Sequence, residues 1–428
     1  MTLSHAITRG NGAVARWRGI LAAVLLGSHD PAATWRYAER YLGGGTRTYS
    51  PFSADLEISP EFHPVHGAPR FTVPTFWVEA GADGWLTNRI ASPLPAIYRD
   101  GDAMLLPVHP ETLTVPDLYR GEQLRRSRPG PPLEVAPSAN ARTVFAERLG
   151  GVAVAPHFLK LHYPKRLSRF TRRLRRPVIA LQLWVADELF HIGAPFLPEV
   201  AGGAIGDDPA QAWGYLLREP AVRDGGSSPF IVPLFALYGR DLRAPADPTL
   251  LEQLVVHSGE EPEVWVTRRV IEPIVTLWCE VLLRTGCAIE PHGQNTLFRF
   301  SPDGRDTRIA YRDCAVYVDP AIRAECGLAG SLPPRNVISR DVDQPRAQVL
   351  SLVYDSFLGS HALAFVARLL EHRFGVHPAT LHRSARKAFA AAAGARELMP
   401  ETVYYYDDQL HADGQWRLVD TGAAPTWR

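Results

Sequence analysis

The stretch 296–312, TLFRF-SPDGRD-TRIAYR, constrains this chain more than any other. Two runs rich in Phe, Leu, Ile, Tyr and Thr flank a Pro-Asp-Gly segment, the chemistry of a tight turn between strands. A hairpin centred near Asp303 and Gly304 pairs residues whose numbers sum to about 607. Asn295 then lies opposite Arg312, and Asp313 returns to the side of Asn295 and His292. The residues before the hairpin, Glu290-Pro-His292-Gly-Gln294-Asn295, form a polar loop. Ahead of that loop, apolar residues recur at 270, 271, 274, 278, 281 and 282, which is helix spacing, and Gly286 is a helix stop. A second helical pattern covers residues 346–375.

An Asn amide and an Asp carboxylate at the mouth of a hairpin are hard oxygen ligands. Magnesium takes one or two of these and completes its shell with water and phosphate oxygens. Protein kinases use an Asn and a later Asp in this way. A solvated loop with a structural Asp fits the same spacing.

The opposite charge comes from the middle of the chain, in SANARTV (138–144) and FLKLHYPKRLSRFTRRLRRP (158–177). Seven of the twelve residues from 165 to 176 are basic, which reads as a solvated face, a nucleic-acid patch or an anion pocket. A formal net charge of +1 counts against nucleic acid. Only three lysines occur, Lys160, Lys165 and Lys387. Lys160 and Arg142 lie in ordered, apolar surroundings, where a cation suits phosphate or carboxylate recognition.

At 428 residues the chain exceeds one compact core, and two or three domains are expected. The first 45 residues look helical, and 46–135 read as short strands and loops. Residues 126–138 read as a connector, RTVFAERL as a helix, and VAPHFLKLHY and VIALQLWVA as strands. AWGYLLRE reads equally as strand or short helix, and RAPADP (243–248) as a boundary. The four cysteines form no CxxC pair, which fits free thiols in a reducing cytoplasm. GILAAVLLG, after Arg9, Arg16 and Arg18, is read as a buried amphipathic helix rather than a signal peptide. No stretch is expected to reach the roughly 18 apolar residues of a membrane span.

SANARTVF, FLKLHYPKRLSRFTRRLR, GYLLRE, GCAIEPHGQNTLFRF and YRDC occur in the order found in NRPS-independent siderophore synthetases of the aerobactin-synthetase (IucA/IucC) type, and LLPVHPETL resembles a segment upstream. The resemblance covers about residues 100–375. It implies an α+β, cupped-hand multi-domain architecture: a thumb (1–100), sheet-containing fingers (101–245) and a mostly helical, kinase-like palm (246–428). It implies a cytoplasmic ligase for iron acquisition. With ATP and Mg2+ the enzyme adenylates a carboxylate, citrate or a citrate derivative, and condenses it with an amine or alcohol. His292, Arg142 and Lys160 would be catalytic. Asn140, Thr143, Arg175, His109, Arg218, Glu290 and Gln294 would bind ATP or substrate, and Asn295 and Asp313 would hold the metal. A homodimer fits the family, and neither nucleic acid nor membrane is an expected partner. Two alternatives stand beside this: a kinase-like small-molecule phosphotransferase, and a non-catalytic ferric-siderophore-binding protein, because the palm is similar to ferric-siderophore reductases. The C-terminal ETVYYYDDQLHADGQW matches no motif of the family.

Overall fold

The computed structural model describes residues 31–43, 56–167, 170–223, 230–301, 304–328, 330, 332–333, 337–338, 345–394, 396–407 and 417–428. The GILAAVLLG segment lies outside them. The architecture is α+β. Its largest element is a seven-stranded antiparallel sheet of β1 (Phe71–Val73), β2 (Trp85–Thr87), β3 (Leu133–Pro137), β4 (Thr143–Leu149), β5 (Val152–Leu161), β6 (Glu199–Ile205) and β7 (Trp213–Arg218). The order is β1–β3–β4–β5–β7–β6–β2, so β5 is interior. Within it, Lys160 pairs with Thr143 on one side and Leu216 on the other.

The helix α1 (Pro31–Tyr41) packs against strand β8 (Phe230–Pro233), and α2 (Arg176–His191) lies against β6 and β7. Several local expectations differ from the structure. RTVFAERL is strand β4, because its β-branched and aromatic residues fill a buried position between β3 and β5. VIALQLWVA belongs to α2. A short apolar run fits strand or helix equally, and Pro177 in the first turn starts the helix. AWGYLLRE contains strand β7. The expected connector contributes strand Arg128–Pro129 to a four-stranded sheet as well as β3.

In the C-terminal half a helical run spans 262–285, with a π turn at Thr267–Ile271. It stops at Gly286, whose φ of +71° is the left-handed geometry a glycine accepts. The indole of Trp278 donates to the carbonyl of Ile289 at 3.2 Å, which fixes where the polar loop leaves the helix. Then come β9 (Thr296–Phe300) and β10 (Thr307–Tyr311), forming a sheet with β8. Thr296 pairs with Tyr311 and Phe300 with Thr307, the register expected from the turn, and Arg312 N donates to Asn295 O at 2.9 Å. Contrary to expectation, one helical stretch, Arg346–Phe374, is long and apolar enough to cross a membrane; 72% of its apolar window is buried inside the fold.

Candidate active site

The site is built where β5 and β7 meet the exit of the hairpin. The last five residues of β5, from His157 to Leu161, are buried on both faces of the sheet, so the Lys160 side chain lies in the interior and is almost fully buried. Its Nζ donates to Asp313 Oδ1 at 2.6 Å and to Gln182 Oε1, and lies 4.0 Å from Glu199 Oε1. A buried cation needs such partners, since removing a charge from water costs several kcal/mol. Arg218 donates through Nε and Nη2 to Glu199 Oε1, at 3.2 and 2.5 Å. The other oxygen, Glu199 Oε2, accepts the backbone N–H of Cys314 at 3.3 Å. Glu199 therefore ties the sheet to the chain just after Asp313.

Asp313 has φ +78°, one of two described non-glycine residues at positive φ. A short polar side chain tolerates this conformation better than most because it bonds locally; here Oδ1 accepts from Ala315 N at 3.2 Å. Burial alone would raise its carboxyl, but the Lys160 charge, then those of Arg218 and Arg142, hold it well below the usual range. Arg142 is buried and its Nη1 donates to Arg172 O at 3.1 Å. Its Nε has no partner among the described residues. Burial, then the neighbouring Arg172 charge, lowers the Arg142 guanidinium to about 10.

The polar loop closes the other side. His292 Nδ1 accepts from Gln294 N at 3.2 Å. Burial, then His361, pushes the imidazole down to about 3, so it is neutral and its proton sits on Nε2. Glu290 is raised to about 8 by burial and then by the Asp313 charge. Asn295 Nδ2 donates to Glu290 O at 3.3 Å. Asn295, Asp313 and Glu290 offer an amide oxygen and two carboxyls. Among the described residues no three His, Cys, Asp or Glu side chains form a metal cluster. The donor set, an amide oxygen and carboxyl oxygens, fits magnesium, which takes few protein ligands.

The structure thus brings Lys160, Arg142, Arg218, Glu290, His292, Asn295 and Asp313 together. Thr143 is buried beside Lys160 through its strand pairing. Gln294 uses its backbone, accepting from Arg312 Nε at 2.9 Å. Asn140 Oδ1 accepts from Arg142 N at 3.1 Å, so it shapes the loop that presents Arg142. Arg175 caps α2, and its charge acts on His162, two residues beyond Lys160. His109 is not brought into the cluster; its ring lies among Phe62, Phe71 and Tyr163.

Sequence reasoning missed Gln182, Glu199, Glu39 and Arg172. Gln182 and Glu199 are single polar residues inside apolar runs, and a buried polar group needs a partner; that was the available signal. Glu39 of α1 accepts from Arg312 Nη1, Trp35 Nε1 and Ala139 N, linking the hairpin exit to the loop before Arg142. Arg172 sits within the basic run, with nothing to single it out.

Aerobactin synthetase IucA, solved with ATP bound, from a hypervirulent pathotype of Klebsiella pneumoniae, superposes with a TM-score of 0.63 at 16% identity, over 88% of this chain and 71% of that one. Aerobactin synthetase IucC from the same source gives 0.60 at 18% identity, over 92% and 80%. The petrobactin biosynthesis protein AsbB from Bacillus anthracis str. Sterne gives 0.59 at 13% identity, over 89% and 75%. This chain has the fold of the siderophore synthetases. The resemblance read from the motifs is borne out at the level of the synthetase fold. Residues 265–411 also match the family described as ferric iron reductase FhuF-like transporter. No curated protein matches the chain by sequence.

Proposed function

We propose that this chain is an ATP- and magnesium-dependent ligase of siderophore biosynthesis that adenylates a carboxylate, citrate or a citrate derivative, and joins it to an amine or alcohol. One observation supports this above the rest. The buried cation of the sheet, Lys160, meets the hairpin carboxylate, Asp313, within a fold whose relative IucA was solved with ATP bound.

Attack of a carboxylate on a phosphate brings anions together, and fixed positive groups lower that barrier. Arg142, whose buried Nε has no partner among the described residues, and Lys160 supply charge from the sheet side. Arg218, bound to Glu199, keeps Lys160 and Asp313 aligned. Neutral His292 can donate from Nε2 to an oxygen of the reacting phosphate or carboxylate, because Nδ1 is engaged by Gln294 N. Asn295, Asp313 and Glu290 would hold magnesium, which when bound offsets phosphate charge.

The test is product analysis with ATP, magnesium, a panel of carboxylic acids, and amine or amino-alcohol acceptors. Acid-dependent AMP and pyrophosphate support the ligase, whereas ADP identifies a phosphotransferase. The match of residues 265–411 to the ferric reductase family favours a second reading, ferric-siderophore binding. Tight binding of a ferric chelate with no nucleotide turnover would select it.

A further inference from the structure

The C-terminal tyrosines, Tyr404–Tyr406, form a strand that pairs with Leu418–Asp420. That strand is fastened to the palm: Tyr404 N donates to Ser351 Oγ at 3.1 Å, and Ser356 Oγ donates to Tyr404 O at 2.9 Å. Ser351 in turn donates to Asp355 at 2.7 Å, and Arg428 grips the same carboxylate through Nε and Nη2. Two short paths run from this strand to the polar loop. Tyr406 touches Phe357, with ring centroids 6.4 Å apart, and Phe357 meets His292 edge-on at 5.9 Å. Tyr405 meets His361 edge-on at 5.2 Å, and His361 O accepts the N–H of Gly293 at 3.3 Å.

Tyr406 also reaches across to the basic segment. Its ring meets Phe170 edge-on at 5.6 Å, where the Arg172 guanidinium covers the same Phe170 ring. Its hydroxyl lies 3.2 Å from that of Tyr317. Tyr406 is thus packed between the Phe170 ring that Arg172 covers and the Phe357 ring that faces His292.

We propose that Tyr406, wedged between Phe170 and Phe357, is the specificity-determining wall that limits how bulky an acceptor amine or alcohol the site admits. This rests on the ligase reading. A slim, unbranched acceptor passes beside the ring, and a bulky one meets it. Apolar pockets discriminate by about 10- to 200-fold per group accommodated or refused.

The experiment compares kcat/KM for putrescine and ethanolamine with kcat/KM for their N-benzyl derivatives, using the acid that supports AMP release. Tyr406→Ala is expected to raise the bulky-to-slim ratio at least tenfold. Tyr406→Phe is expected to keep the wild-type ratio, since the ring and not the hydroxyl is the wall. Phe170→Ala, which opens the opposite side, shifts the ratio in the same direction and decides the matter if Tyr406→Ala does not fold. A general loss of activity lowers both acceptors equally and leaves the ratio unmoved. A ratio shift below tenfold overturns the wall alone. If the wild-type enzyme releases no AMP with any acid, the ligase reading fails and the wall falls with it.

Discussion

Lys160 Nζ lies 2.6 Å from Asp313 Oδ1, joining an interior strand of the large sheet to the hairpin exit 153 positions later. Breaking such a buried pair leaves one charge uncompensated, at a cost of about 3–5 kcal/mol. Lys160→Met should lower the unfolding free energy by that order in urea titrations. The Lys160→Met/Asp313→Asn double variant should recover part of the loss, because no lone charge remains. Additive losses would show that the two groups do not depend on each other.

Asp313 combines a charge with a left-handed backbone, and the two roles separate by substitution. Asn and Gly accept positive φ better than Ala does. Asp313→Asn and Asp313→Gly should therefore fold better than Asp313→Ala, as read by thermal melting. All three should lose ATP–pyrophosphate exchange by roughly a hundredfold or more, the cost of removing one preorganised electrostatic group. His292→Ala should lose exchange to a similar degree while its melting temperature holds up.

Glu199 accepts from Arg218 and from Cys314 N. Glu199→Gln keeps an oxygen for Cys314 N but removes the charge that offsets Arg218 and Lys160. A drop in melting temperature of several degrees is expected, corresponding to about 3–5 kcal/mol for an uncompensated buried charge. A variant that melts like wild type would place the balancing charge elsewhere.

Four buried histidines are lowered from 6.5 chiefly by burial: His109 and His157 to about 4, His162 and His292 to about 3. Each is neutral in the fold and charged in the acid-unfolded chain. Their contribution is fully present above pH 6.5 and is lost as pH falls from there toward 4 and 3. Unfolding at pH 5 should take up roughly three to four protons through these groups. Melting temperature against pH, with the calorimetric enthalpy, measures this uptake, and a flat profile from pH 7 to 5 would contradict it.

The hairpin was legible because its register depends on local turn chemistry, and Thr296 does pair with Tyr311. The helix stop at Gly286 was legible for the same reason. RTVFAERL and VIALQLWVA exchanged strand and helix because the first is fixed by pairing with the strands on either side of it, β3 and β5, and the second by packing on the sheet face, and neither shows in the apolar pattern of the run itself. Within the site, Lys160 and Asp313 could be singled out as chemically apt, yet their contact arises only when the sheet packs on the hairpin. Glu199 and Glu39 were harder still. A lone carboxylate in an apolar run signals a buried partner without naming it, and Arg218 and Arg312 are tertiary neighbours.

On the proposed reading, the cations of the sheet and the Asn295–Asp313 hairpin form one nucleotide site that activates a carboxylate. Isotopic ATP–pyrophosphate exchange in the presence of magnesium, with wild type and Asp313→Asn side by side, tests it most directly. Exchange is expected to require a carboxylic acid and to be abolished in Asp313→Asn. Accumulation of ADP in place of exchange, or wild-type exchange in Asp313→Asn, would contradict it.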